Sequence, residues 1–230
     1  MIRALSIVVL VVGFCTGVRC QEAQSDTRKE LWSGLDVYAP VNEKFRLYLM
    51  VSGNRAEETR KSFETTVGAH LDYNAHQRFV LRAGYRYSFA PGDEDDFKEH
   101  RIVTEQTFRQ ELPWHMLLSD RNRQDWRFVN GDFSFRYRNR VKLEREFRVW
   151  GRSFTGYGSV EGYYDTRFDV WNRNRLTAGA EFQLKRGFPL LRELSPRKQV
   201  ILDLYYTKQN DSRSQPHHIH AVGATLALHF

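Results

Sequence analysis

The residues able to do chemistry in this chain are arginines and carboxylates set on alternate positions. Arg82, Arg86, Arg101, Arg109, Arg121, Arg123, Arg127, Arg136, Arg138, Arg140 and Arg175 fall on the polar parity of their stretches. Glu64, Asp72, Glu105, Asp125, Glu144, Glu161, Glu181 and Asp203 share that parity. A guanidinium presents a planar fork of donors that a carboxylate meets at two points, so such sets fix geometry as well as charge. One reading is a packed ladder of ion pairs filling a narrow barrel, where an unpaired charge is costly. The other is a pore that prefers anions, because basic residues outnumber acids on this face. The sequence leaves both open.

Period-two patterning decides what positions these side chains. Counting back from Phe230 gives Leu228, Leu226, Ala224 and Val222 on one face, with His229, Ala227, Thr225 and Gly223 between them. That is a strand with one apolar side. An amphipathic last strand ending on an aromatic residue is how an outer-membrane barrel closes, its terminal ring at the periplasmic interface. Ten further stretches alternate in the same way, beginning near Leu35 and ending with the run from Val200 to Tyr206. Residues 21 to 30 read as a polar lead-in, Asn130-Gly131-Asp132 as a tight turn, and the segment from Leu184 to Lys198, with Pro189 and Pro196, as a connection. The expected fold is therefore all-β, an antiparallel up-and-down transmembrane barrel of 10–12 strands. Bacterial barrels use even numbers. With Phe230 in the periplasm, the breaks at 53–62, 90–98 and 209–218 fall outside, but the stretch near Leu35 then points the wrong way. Dropping it gives ten strands, and a missed one would give twelve.

The front end and the composition agree with that fold. Met1-Ile2-Arg3 precedes an apolar run from Ala4 to Phe14, too short to span a bilayer as a helix and the right length for a secretory signal core. Residues 1–20 are expected to be a signal peptide cleaved after Cys20, leaving 21–230 as a single outer-membrane barrel domain. Both cysteines, Cys15 and Cys20, lie in this leader, so disulfides and thiolate metal sites are excluded from the mature chain. The chain carries a formal charge of +7 and has 14% aromatic residues. Its mean hydropathy is −0.61, which a membrane barrel reaches because alternate residues face the lumen.

Other chemistries are poorly supported. Basic residues separated onto one face of strands do not make a nucleic-acid patch. Ser119, Ser153, Ser159, His70, His100 and His115 show no spacing that selects a nucleophilic pair. No catalytic residue is assigned, and an outer-membrane lipid-modifying hydrolase stands only as the alternative. His217, His218 and His220, and the acidic run Asp93–Asp96, lack the spacing of a dedicated metal site. Neither a metal nor a cofactor is expected. The expected partners are outer-membrane lipid and, through the C-terminal strand, the barrel-assembly machinery. The oligomeric state is not legible.

Several short stretches carry a family resemblance. They are the hairpin around Trp32, Glu99-His100-Arg101-Ile102, Arg121-Asn122-Arg123 with Asp125, and Phe135-Arg136-Tyr137-Arg138. Glu161 before Tyr163-Tyr164, Asn174-Arg175-Leu176 with Gly179, and the closing strand add to them. Together they resemble an uncharacterised bacterial outer-membrane β-barrel family, domain-of-unknown-function family 2490. The resemblance implies location and fold and brings no catalytic residues. Where that family shows an Arg-x-Glu arrangement, this chain has the shorter Asp125.

Overall fold

The computed structural model describes residues 27–56, 63–90, 97–149, 152–184, 199–213 and 216–230. The expected leader, with Cys15 and Cys20, and the acidic run Asp93–Asp96 lie outside them. The strands are β1 (Thr27–Pro40), β2 (Phe45–Ala56), β3 (Phe63–His76), β4 (Phe79–Ala90), β5 (Phe97–Leu112) and β6 (Met116–Val129). They continue as β7 (Asp132–Val149), β8 (Arg152–Asp165), β9 (Val170–Leu184), β10 (Gln199–Asp211) and β11 (His218–His229). Each pairs with its neighbours in sequence, and β1 meets β11 to close a barrel.

The strand count is eleven, neither ten nor twelve. All neighbouring pairs are antiparallel except the closing one, where β1 runs parallel to β11 from Thr27↔His218 to Tyr38↔His229. An odd number of alternating strands brings the first and last into the same direction, and the parallel seam is the consequence. The stretch around Leu35 thus points the right way, towards the end occupied by Phe230. The polar lead-in is also shorter than expected, because Thr27–Glu30 already pair with β11. The strand ends at Ala56 and Phe63, at Ala90 and Phe97, and at Asp211 and His218 share the end opposite Phe230. The segment read as a connection, 185–198, lies outside the described residues, and the strand ends that flank it, Leu184 and Gln199, are at the Phe230 end.

Local chemistry explains the tight turn between β6 and β7. Asn130 has φ 48 and Gly131 φ 99, the left-handed conformations that a two-residue hairpin turn requires and that Asn-Gly supplies at least cost. Gly223 serves a different need. A Cβ there would sit 2.1 Å from Cζ of Tyr205, so the missing side chain lets that ring lie flat against the β11 backbone.

The wall is inverted relative to a water-soluble protein. Its fully buried side chains include Arg123, Asp125, Asp72, Glu99 and Asp165, all facing the lumen. Its exposed side chains include Val222 at 58%, Val160 at 55% and Ile102 at 52%, all facing out. Val222, Ala224, Leu226 and Leu228 lie on that outer face, as the sequence pattern places them, with Phe230 exposed at the strand's end. Aromatic residues gather towards both ends of this surface. Phe147, Phe154 and Phe182 stack in a row on the Phe230 side, with Phe45 on Tyr73. Phe128 with Phe133 and Trp126 with Phe135 pack near the other end. An apolar belt between two aromatic girdles suits a bilayer.

Candidate functional site

The lumen is built from like charges placed opposite each other. Arg121 pairs in register with Arg140, Arg123 with Arg138, and Arg101 lies between Arg86 and Arg127. Such cross-strand pairs repel. Acids therefore interleave diagonally, and Asp72, Glu99, Glu105, Glu161 and Asp165 each take more than one guanidinium group.

Two chains of contacts result. In the first, Asp72 binds Arg46 at 2.7 Å and Arg82 at 2.5 Å. Arg82 reaches Glu105 at 3.4 Å, and Glu105 lies 3.3 Å from Arg121. Arg121 then binds Glu161 at 2.5 Å, and Arg138 donates to both oxygens of Glu161, at 3.1 and 3.0 Å. Tyr163 adds a hydroxyl at 2.8 Å to the same carboxylate. Asp125 joins through Arg123 at 2.6 Å. In the second chain Glu99 is held by Arg101 at 2.6 Å and by Arg127. Arg127 reaches Asp165 at 3.3 Å, and Asp165 also holds Arg136 and Arg167, at 2.7 and 2.9 Å.

Several of the charges singled out from sequence join these two chains, and others are placed differently. Arg109 stands exposed near the end of β5, where the strand leaves the lumen, and is not part of the ladder. Glu144 and Glu181 bind Lys142, at 2.8 and 2.9 Å, rather than arginine. Arg86 has no carboxylate partner among the described residues and donates to His70 at 3.0 Å. Arg175 is bonded mainly to the neutral Gln209, at 2.6 Å, with Glu161 4.0 Å away. Arg140 has no ion-pair partner among the described residues, and its Nε is buried without a hydrogen bond. Asp203 accepts from the Tyr157 hydroxyl at 3.0 Å. Glu64 lines the same lumen.

Sequence reasoning missed Asp165, Asp211, Arg46 and Arg173 as members. Asp165 and Asp211 close their strands beside loops, where alternation gives way to turn chemistry. Arg173 binds Asp211 at 2.5 Å, but a register shift in the β8–β9 pairing between Tyr163 and Tyr164 breaks the parity count there.

These side chains surround a cavity of about 750 Å³. Its described lining runs from Arg28, Arg167 and Pro216 at one end to Tyr38, Tyr157 and Asp203 towards the other. Lys or Arg occupies fourteen lining positions and Asp or Glu six. Burial is uneven among both signs, and Arg123 is as sealed as the acids. Side chains of Asp72, Asp125 and Asp165 are wholly sealed, and those of Glu105 and Glu161 nearly so. Arg82, Arg121 and Arg138 keep some of their surface open to the cavity. Asp72 and Asp165 thus sit behind arginine partners, while Asp36, Glu64 and Asp203 line the cavity themselves. An anion entering this space would meet more basic groups than acids, a preorganised arrangement for oxyanions.

No nucleophilic pair is assembled from the residues singled out for one. His70 is held by Arg86 inside the lumen, His100 faces outward against Tyr85 and Tyr87, and His115 sits in the β5–β6 turn. Ser119 is on β6, while Ser153 and Ser159 are on β8. No cluster of three or more metal-ligating side chains occurs among the described residues.

Fold and lumen together define a closed β-barrel with a charged interior and an apolar exterior. The chain belongs to the family described as "Protein of unknown function (DUF2490)", whose family model matches residues 29–219. Curated proteins give no match. Among solved structures the chain is similar to "LpxR from Salmonella typhimurium", at 9% identity and a TM-score of 0.48, over 80% of this chain and 83% of that one.

Proposed function

We propose that the protein is an outer-membrane β-barrel whose lumen admits small anions and lets them pass. The membrane setting is supported by the outer wall, where an apolar belt lies between aromatic girdles. Cleavage of residues 1–20, delivery by the barrel-assembly machinery through the strand ending at Phe230, and an annulus of outer-membrane lipid belong to the same reading. The anion preference rests on one observation above others. Basic residues outnumber acids fourteen to six on the cavity lining, and Arg140, one of the fourteen, has no ion-pair partner among the described residues. An anion in the lumen would serve as counter-charge to that guanidinium group.

Ion selectivity tests this directly. Purified protein in a planar bilayer, under a salt gradient, is expected to give a reversal potential on the anion side. Arg140→Gln is expected to lower the anion-to-cation permeability ratio by about fivefold. That corresponds to about 1 kcal/mol, the interaction of two unit charges about 4 Å apart in water. Silence from protein that has folded into the bilayer, or a cation-side potential, would contradict the reading.

A further inference from the structure

The outer wall is apolar around most of the barrel, but strands β5, β6 and β7 interrupt it. Thr104, Gln106, Asp120, Asn122, Gln124 and Asn139 all have the outward parity, next to lumen-facing Glu105, Arg121, Arg123 and Arg138. They form one island at mid-strand. Ile102, Trp126 and Phe135 border it towards one end of the barrel, and Phe108, Leu118 and Leu143 towards the other. The polar groups therefore lie inside the apolar zone and away from both water interfaces. Asn, Gln and Asp side chains facing hydrocarbon cost several kcal/mol each unless hydrogen-bonded, roughly as any desolvated amide does.

The island satisfies itself only in part. Gln106 and Gln124 exchange amide bonds at 3.2 and 3.1 Å, and Thr104 donates to Gln124 at 2.8 Å. Asp120 accepts one amide on each oxygen, from Asn139 at 2.7 Å and from Asn122 at 3.3 Å. A carboxylate has about four acceptor sites and a primary amide two donor hydrogens. Spare acceptor capacity thus remains on Asp120, and spare donors remain on Gln106, Gln124 and Asn122. The same patch carries both halves of the missing bonds. Beside it Gly158 on β8 pairs with Ala178 on β9, a small-residue spot between the Phe147 ring, which lies over Gly156, and the exposed Val160. A Cβ at Gly158 would meet nothing within 4 Å. Small residues are what let backbones approach closely within a bilayer.

We propose that this wall is covered by the same wall of a second copy of the chain. A surface whose unused donors match its own unused acceptors is self-complementary, which is the requirement of a twofold, isologous contact. The spare amide hydrogens of one copy meet the spare Asp120 oxygens of the other, and the small Gly158–Ala178 pair leaves room beside them. The inference goes beyond ion passage but needs the barrel to be in a bilayer. Heat-modifiable migration and recovery with lipid vesicles report insertion separately, so failure of the dimer would leave the membrane reading standing.

The test is cross-linking of the full chain in membranes, with Cys15 and Cys20 replaced by serine. A cysteine at Val141, on the border of the island, is expected to give a covalent product of twice the monomer mass with a short bifunctional thiol reagent. A cysteine at Leu49, on the opposite wall, is expected to give none. Combining Asp120→Leu, Asn122→Leu and Gln124→Leu with Val141→Cys should cut the dimer about tenfold or more, with heat-modifiable migration retained. A monomeric mass for the native chain in lipid nanodiscs would overturn the proposal. So would equal cross-linking from both walls, or an adduct whose mass is not twice the monomer. If the triple variant does not fold, the two single cysteines still decide.

Discussion

Replacing Glu161 by alanine is expected to destabilise the barrel by about 3–5 kcal/mol, the cost of stripping a buried charge cluster of one partner. Glu161 holds Arg121 at 2.5 Å, Arg138 through both oxygens, and the Tyr163 hydroxyl at 2.8 Å. Without it, two guanidinium groups face each other with only Asp125 and Glu105 left to divide between them. Urea unfolding in detergent micelles, followed by heat-modifiable migration, measures the loss. Glu144→Ala is the control. Its partner Lys142 also has Glu181 at 2.9 Å, and both acids keep some exposure, so the change should stay within about 1 kcal/mol. Similar losses for the two variants would mean that the ladder does not hold the barrel. A double replacement, Glu161→Met with Arg138→Met, should recover part of the loss, because removing both charges avoids leaving one unpaired.

The second large effect is expected on the outside. Leu204 lies at the middle of β10, is 44% exposed and faces away from the lumen. Leu204→Arg should cost about 2–4 kcal/mol when the barrel folds into lipid, as a charge at the bilayer midplane does. On a water-exposed surface the same substitution would stay within about 0.5 kcal/mol. Refolding into vesicles against refolding in lipid-free buffer separates these cases. A neutral result in vesicles would remove the membrane from the account.

Much of this was legible in the sequence because barrel physics is written with period two. Alternation put Arg82, Arg121, Arg123, Arg138 and Glu161 on one face and Val222, Ala224, Leu226, Leu228 and Phe230 on the other, and the leader and terminal Phe230 pointed to the polar face as the inner one. Pairing is different. Which acid serves which arginine depends on register and strand tilt, so neither Lys142 as the partner of Glu144 nor the isolation of Arg140 could be read from spacing. The odd strand count escaped for a related reason. A strand is recognised by its own pattern, but its direction in a closed sheet depends on the count of all the others, and an even number was assumed. The polar island shows a third limit. Asn122, Gln124 and Asn139 alternate with arginines, so a stretch such as Arg121-Asn122-Arg123-Gln124-Asp125 is polar on both faces and hides which face meets lipid.

The central claim is that charge lines the inside and the apolar face meets lipid. A spin-label scan through β10 in lipid vesicles tests it most directly. Nitroxides are placed one at a time from residue 201 to 206, with Cys15 and Cys20 replaced by serine. Accessibility to oxygen, which concentrates in lipid, should peak at 202, 204 and 206, and accessibility to a charged aqueous relaxant at 201, 203 and 205. The opposite phase, or no alternation at all, would contradict the account.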